Sequence, residues 1–316
     1  MTDYRVDAPT AAALGRVAVI YGGTSSERPV SLKSGAAVLS ALARAGVDVF
    51  GLDLGGETGD LAPLAQLQAA EFDRAFLILH GAGGEDGVLQ GVMELLGKPY
   101  TGSGVAASAI GMDKLRTKQI WRGAGLPTPP FAVLTEETDF VAVAAELGAK
   151  MIVKPAHEGS SIGMSVAVDA AGLEAAFSTA TGFDRLVIAE RWMSGAEFTV
   201  GILQGQALPV IKLETSHDFY DYDAKYLAND TRYRFDHGLT SEQEIFLKQL
   251  AEQAFAVIGC RGWGRVDVMQ DEQGNFQLLE INTAPGMTDH SLLPMAAAEA
   301  GVSFEELVVK ILQTTV

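Results

Sequence analysis

Trp263-Gly264-Arg265-Val266-Asp267-Val268-Met269-Gln270 and Phe276-Gln277-Leu278-Leu279-Glu280-Ile281-Asn282, separated by Asp271-Glu272-Gln273-Gly274-Asn275, carry the strongest signal in this chain. Two β-rich runs around a turn-forming stretch read as an antiparallel hairpin. Pairing Asp271 with Phe276 across a four-residue loop sets Asp267 opposite Glu280 and Arg265 opposite Asn282. Side chains alternate with period two, so these four share one face, and Val266, Val268, Leu279 and Ile281 form an apolar face for a core. Two facing carboxylates repel by up to about 1 kcal/mol unless a positive charge lies between them. A divalent cation is the expected remedy. Hard oxygen ligands suit Mg²⁺, which takes one or two carboxylates and fills its shell from substrate phosphates.

Upstream, no G-x-x-x-x-G-K-[ST] and no G-x-G-x-x-G opens a helix, so phosphate contacts must be built otherwise. Lys154 ends the apolar run Met151-Ile152-Val153, and Pro155 to Gly163 follows as a Gly/Ser-rich link whose N–H groups can approach an anion closely. Lys114 and Lys225 are further isolated cations. Gly159-Ser160-Ser161-Ile162-Gly163 also matches the esterase pattern G-x-S-x-G, but Ser165 to Val168 after it reads as a strand where a nucleophile elbow requires a helix.

Further out, Val17 to Ile20, a helical pattern over Ser31 to Ala45, Val47 to Phe50 and Phe76 to Leu79 alternate as β-α-β, predicting a parallel sheet with ligand loops YGGTSSER and HGAGGEDG at its strand ends. From Tyr100 the chain reads as a smaller α+β unit, and after Glu190 as a second one. The second contains strands at Phe198 to Ile202 and Leu208 to Ile211, a long polar loop from Glu214 to Thr240, and a helix from Ser241 to Ile258. Residues 1–15, rich in Ala, Asp and Pro, predict a flexible tail.

The 316 residues hold 40 Asp and Glu against 23 Lys and Arg, a net charge of −17 with no basic cluster, which excludes a nucleic-acid partner. One Cys cannot staple a secreted fold, and Cys260 reads as a buried core residue. No apolar run reaches the roughly 18 residues of a membrane span, and the start lacks a signal peptide, so a cytoplasmic protein is expected.

Taken together, GGTSSER, HGAGGEDG, YTGSG with MDKLRTK, VKPAHEGSSIGMS, FYDYDAKYL, GWGRVDVM and EINTAPGMTDHSLLPM, in this order, resemble the D-alanine:D-alanine ligases of the ATP-grasp superfamily. The resemblance implies an α/β fold of three α/β domains, with ATP held between two antiparallel-sheet (α+β) domains. Residues 16–101 would form an N-terminal parallel α/β substrate domain, 102–189 the central ATP-grasp domain, and 190–316 the C-terminal one with the metal-binding hairpin. Lys114 and Lys154 would meet the α/β-phosphates of ATP and Lys225 the γ-phosphate. Glu190, Arg191, Trp192 and Met193 would form the adenine hinge, with Glu197 on the ribose.

Asp267, Glu280 and Asn282 would hold two Mg²⁺ (or Mn²⁺), with a monovalent cation such as K⁺ nearby. Glu27 would meet the first D-alanine, whose carboxylate accepts the phosphoryl group. Arg265 and the Gly286 N–H would face the oxyanion formed when the second D-alanine attacks. Ser291 and Leu292 would take the second carboxylate, with His80 beside it. Glu27, Ser160 and Tyr226 would link substrate loop to mobile loop. Tyr226 resembles dipeptide-forming members, although a different amino or hydroxy acid acceptor is the competing reading. A homodimer is also implied. Ala82, His157, Pro29 and Asp289 depart from the family pattern, where Arg, Arg, Glu and Ser are frequent.

Overall fold

A computed structural model describes residues 4–55, 62–214, 231–288 and 290–316. The first sheet has order β2-β1-β3, all parallel, from β1 (Val17–Gly22), β2 (Val49–Leu54) and β3 (Arg74–Leu77). Val17 and Val19 point into one apolar cluster, and Ala18 and Ile20 into another. Burial on both faces is what a parallel sheet under helices requires. The segment expected as a loose tail carries helix α1 (Ala8–Leu14), capped by Asp7, which accepts from Thr10 N at 2.8 Å, and anchored by the fully buried Leu14. One cap and one anchor suffice where no periodicity is visible. Helices α2 (Arg28–Arg44), α3 (Pro63–Ala69) and α4 (Val88–Leu96) complete the unit.

Helices α5 (Val105–Met112) and α6 (Lys114–Gly123) follow, the second capped by Asp113. The second sheet, order β4-β7-β5-β6, is antiparallel and built from β4 (Phe131–Leu134), β5 (Met151–Pro155), β6 (Ser165–Ala167) and β7 (Val187–Arg191). Helices α7 (Phe140–Leu147) and α8 (Ala170–Ala180) give it a core of its own, drawn only from residues between Ala132 and Ala189.

Among the described residues the third sheet has six strands: β8 (Glu197–Leu203), β9 (Gln206–Ala207), β10 (Ile211–Glu214), β11 (Arg232–Arg234), β12 (Trp263–Gln270) and β13 (Phe276–Asn282). Leu208 to Val210, expected as strand, lie between β9 and β10, since Pro209 has no N–H for a ladder. Helix α9 (Ser241–Val257) covers one face together with α5 and α6, and Trp121 Nε1 donates to Ala254 O at 3.0 Å. The stretch from Gly102 to Gly123 thus packs on the third sheet, not the second. On the other face, α10 (Leu292–Glu299) and α11 (Phe304–Gln313) join a single cluster that also contains Leu14, Val17 and Val38.

In the hairpin Arg265 faces Asn282 and Asp267 faces Glu280, as expected, but by a different route. Gln270, not Asp271, pairs with Phe276, so the loop has five residues. Asp271 organises it, accepting from Gln273 N at 2.9 Å and Asn275 N at 2.8 Å. A bulge between Asp267 and Val268 then restores the register, with Val268 opposite Leu278. Leu278, fully buried, is therefore the core residue, and Leu279 turns with Glu280 to the opposite side.

Candidate active site

Three loops converge on Glu27, which stands at the N-cap of α2. Ser160 Oγ donates to Glu27 Oε1. A Cβ at Gly81 or Gly159 would lie 2.8 or 2.9 Å from Glu27 Oε2, so the two glycines leave the carboxylate its present place, and Gly81, at φ 71°, also needs glycine's backbone freedom. Ser25 Oγ donates to His80 O at 2.7 Å, joining the first two loops. Ser160 and Ser161 have φ of 51° and 61°, a conformation L-residues avoid and one concentrated at functional sites. No helix follows Ser161, so the esterase reading fails.

The Gly/Ser-rich link is tied to the start of α6. Lys114 N donates to Ala156 O at 3.0 Å and Lys114 Nζ to Glu158 O at 2.6 Å. His157 bridges Asp184 Oδ2 at 2.8 Å and Asp113 Oδ2 at 3.0 Å. Lys154, on β5, reaches Glu190 Oε2 on the neighbouring β7 at 3.1 Å.

On the hairpin, Arg265 holds Asp267 in a bidentate pair at 2.8 and 2.7 Å, and Thr199 Oγ1 and Asn282 Nδ2 donate to the same carboxylate at 2.6 and 3.1 Å. Lys114 Nζ lies 3.8 Å from Glu280 Oε2. In this arrangement the facing carboxylates are countered by the chain's own Arg265 and Lys114. Among the described residues no group of three or more His, Cys, Asp or Glu could hold a metal. Two carboxylates and one amide oxygen on a cleft wall nonetheless fit Mg²⁺ in the role where phosphates complete its shell.

Two cavities meet here. The larger, about 1160 Å³, is lined by Glu27, His80, Ser160, Arg265, Gly286 and Ser291 among others, with Leu292 beside Ser291. The smaller, about 490 Å³, lies between the second and third sheets against Lys154, Glu190 to Met193, Glu197, Asp267 and Leu279. Lys114 and Glu280 line both. Arg191 lines the smaller cavity, and its guanidinium donates to Leu147 O at 2.9 Å. Trp192 lies under Lys150 Nζ, 3.9 Å from the ring centroid. Lys225 and Tyr226 lie outside the described residues, as does Asp289.

Burial pulls the His80 imidazole below its usual range, against the opposing charge of Glu27, and favours the neutral ring; its Nε2 is 3.5 Å from Ser34 Oγ. The Cys260 thiol is pushed up to about 11 by burial, which makes it inert.

Two residues escaped the reading of the sequence. Glu85 lines the larger cavity, and burial together with the charge of Glu27 pushes its carboxyl up to about 8, although Gly81 N donates to it at 2.6 Å. Lys118 is fully buried, and burial pulls its ammonium down to about 8. Its signal was spacing: Leu115, Lys118 and Trp121 fall three apart on one buried helix face.

A nucleotide-sized cleft between two antiparallel sheets, walled by lysines on one side and a carboxylate hairpin on the other, defines the ATP-grasp class. The family model described as "D-ala D-ala ligase C-terminus" matches residues 120–313, and that described as "D-ala D-ala ligase N-terminus" matches residues 55–103. The chain is 59% identical to a D-alanine–D-alanine ligase of Pseudomonas putida over 96% of its length and 94% of the relative's. It is 60% identical to one of Pseudomonas entomophila with the same coverage. The crystal structure of a D-alanine–D-alanine ligase from Bacillus anthracis superposes with a TM-score of 0.84 at 34% identity, covering 95% of this chain and 97% of that one. A D-alanine–D-alanine ligase from Bacillus anthracis complexed with ATP gives 0.83 at 31% identity over the same shares. The chain belongs to the D-alanine–D-alanine ligase family.

Proposed function

We propose that the chain joins two D-alanines into D-alanyl-D-alanine for peptidoglycan synthesis, with ATP in the smaller cavity and both amino acids in the larger. What carries the assignment of the cavities is their shared wall: Lys114 and Glu280 face both, so a phosphoryl group can pass from one to the other without leaving the protein. In this reading Glu190, Arg191, Trp192 and Met193 hold the base, Glu197 the ribose, and Lys114, Lys154 and Lys225 the phosphates. Asp267, Glu280 and Asn282 would hold two Mg²⁺ or Mn²⁺, which neutralise charge on the transferring phosphoryl group when bound.

Glu27 receives the first D-alanine's ammonium. A carboxylate oxygen of that D-alanine bonds to the γ-phosphorus as the bond to ADP breaks, giving a D-alanyl phosphate. The second D-alanine's amine attacks the carbonyl, Arg265 and the Gly286 N–H stabilise the oxyanion, and inorganic phosphate departs as the amine loses its proton. Neutral His80 lies beside the second substrate, and Ser291 and Leu292, at the start of α10, receive its carboxylate. Glu27, Ser160 and Tyr226 close the site against water, which protects the acyl phosphate.

The same reading divides the chain at residues 16–101, 102–189 and 190–316, with 102–123 packed on the third sheet rather than the second, and has it as a homodimer in the cytoplasm with K⁺ as an accessory cation. No helix of the described residues is long and apolar enough to cross a membrane. The test is phosphate release from ATP and Mg²⁺ with D-alanine, L-alanine or neither, products identified by mass spectrometry. One dipeptide per phosphate, with D-alanine alone, is expected. Phosphate without dipeptide would end the substrate assignment, and a panel of acceptors at fixed D-alanine separates the hydroxy-acid alternative.

A further inference from the structure

Beneath the wall of the smaller cavity lies a buried cluster of three charges. Glu190, only 1% exposed, presents Oε2 to two ammonium groups, Lys118 Nζ at 3.2 Å and Lys154 Nζ at 3.1 Å. Its Oε1 is buried and has no hydrogen-bond partner. A carboxylate oxygen left unpaired in a low-dielectric interior is costly, and here it belongs to a residue that lines a cavity.

The two lysines are not equivalent. Lys154 lines the cavity and is free to answer an anion entering it. Lys118 lines neither cavity, and its Nζ is also fixed by Thr128 Oγ1 at 2.8 Å, a hydroxyl that itself donates to Leu278 O at 2.8 Å on the hairpin. Lys118 is therefore the partner that an anion in the cavity does not draw away from Glu190. With both cations on Oε2, the carboxylate has no reason to rotate, and Oε1 remains the oxygen without a partner.

We infer that Lys118 is a positioning residue for base selection: by pinning Glu190 Oε2 it keeps Oε1 turned toward ligands as an acceptor that favours a purine with an exocyclic amine over one with a carbonyl. The inference rests on the proposed placement of ATP in this cavity. Without Lys118 the carboxylate would pair both oxygens with Lys154, weakening the amine contact and removing the repulsion of a carbonyl together.

Steady-state kinetics of the full chain with Mg²⁺ and D-alanine, using ATP and ITP, tests this in wild type, Lys118→Met, Lys118→Arg and Thr128→Val. Wild type should prefer ATP in kcat/KM. In Lys118→Met the ATP/ITP ratio should fall by about tenfold or more, mostly through a higher KM for ATP, and Lys118→Arg should restore much of it. Thr128→Val should shift the ratio the same way by a smaller factor. Equal losses on both nucleotides, or a loss in kcat alone, would reduce Lys118 to a structural role and overturn the inference. Where Lys118→Met does not fold, an unchanged ratio in Thr128→Val overturns it. A wild-type ratio near one would instead remove the base site itself, and the inference with it.

Discussion

Asp267 shows how much one side chain is asked to do. It accepts from Arg265, Thr199 and Asn282 while lining the smaller cavity. Asp267→Asn or Glu280→Gln should lower kcat by about 10²-fold or more while the circular dichroism spectrum still reports the native fold, because charge stabilisation of phosphoryl transfer is worth several kcal/mol. Unchanged turnover in either variant would sink the assignment of both. Glu85 makes a prediction of the opposite kind. Its carboxyl titrates at about 8 in the fold against 4.5 in the open chain, so the folded state holds the extra proton between these values. Its contribution is therefore fully present below pH 4.5 and lost as pH rises through about 8. Glu85→Gln keeps an acceptor for Gly81 N but cannot ionise, so its Tm relative to wild type should climb from pH 5 to pH 8.5; a constant difference would contradict the buried-acid account. Asp267 was legible in the sequence because a carboxylate facing another across a hairpin is a pattern. Glu85 was not, since its perturbation comes from burial and from Glu27, 58 positions away, and nothing local reports it.

The hairpin is the element on which the reading of the sequence was both right and wrong. The pairing of Asp267 with Glu280 was foreseen, yet the loop is one residue longer than assumed and the bulge absorbs the difference. Alternation alone cannot reveal this, because Leu278 and Leu279 are chemically identical and either could serve as the core residue. The structure separates them. Leu278→Ala should cost about 2–5 kcal/mol in denaturant unfolding, as a fully buried leucine does, with little change in nucleotide affinity. Leu279→Ala should leave stability within about 1 kcal/mol and raise the KM for ATP about fivefold through lost apolar contact. Interchanged results would mean the bulge is misplaced. The helix α1 was missed for a related reason: seven residues with one buried leucine carry no periodicity to count.

At the scale of the molecule, the three sheets do not make three equal parts. One continuous cluster runs from Leu14 and Val38 to Leu293, Leu307 and Leu312, and the Arg44 guanidinium on α2 meets Glu305 on α11 at 2.8 Å. The second sheet keeps a separate core. Order along the chain suggested successive units, but the merging of the first and last is a long-range packing fact that sequence order conceals. Leu312→Ala should therefore speed amide exchange in β1 and β8 together, by the equivalent of about 2–5 kcal/mol, and leave β5 nearly unchanged. Faster exchange confined to β8 would show the two units to be independent. The party wall of Lys114 and Glu280 has a bearing on inhibitor design. A two-headed compound, with a nucleoside end and an amino-acid end joined through a phosphate-sized anion, would place its second head at a local concentration in the millimolar range once the first was seated. Such a tether should bind far more tightly than either head alone, and a rigid spacer too long to bend around that wall should forfeit the whole gain.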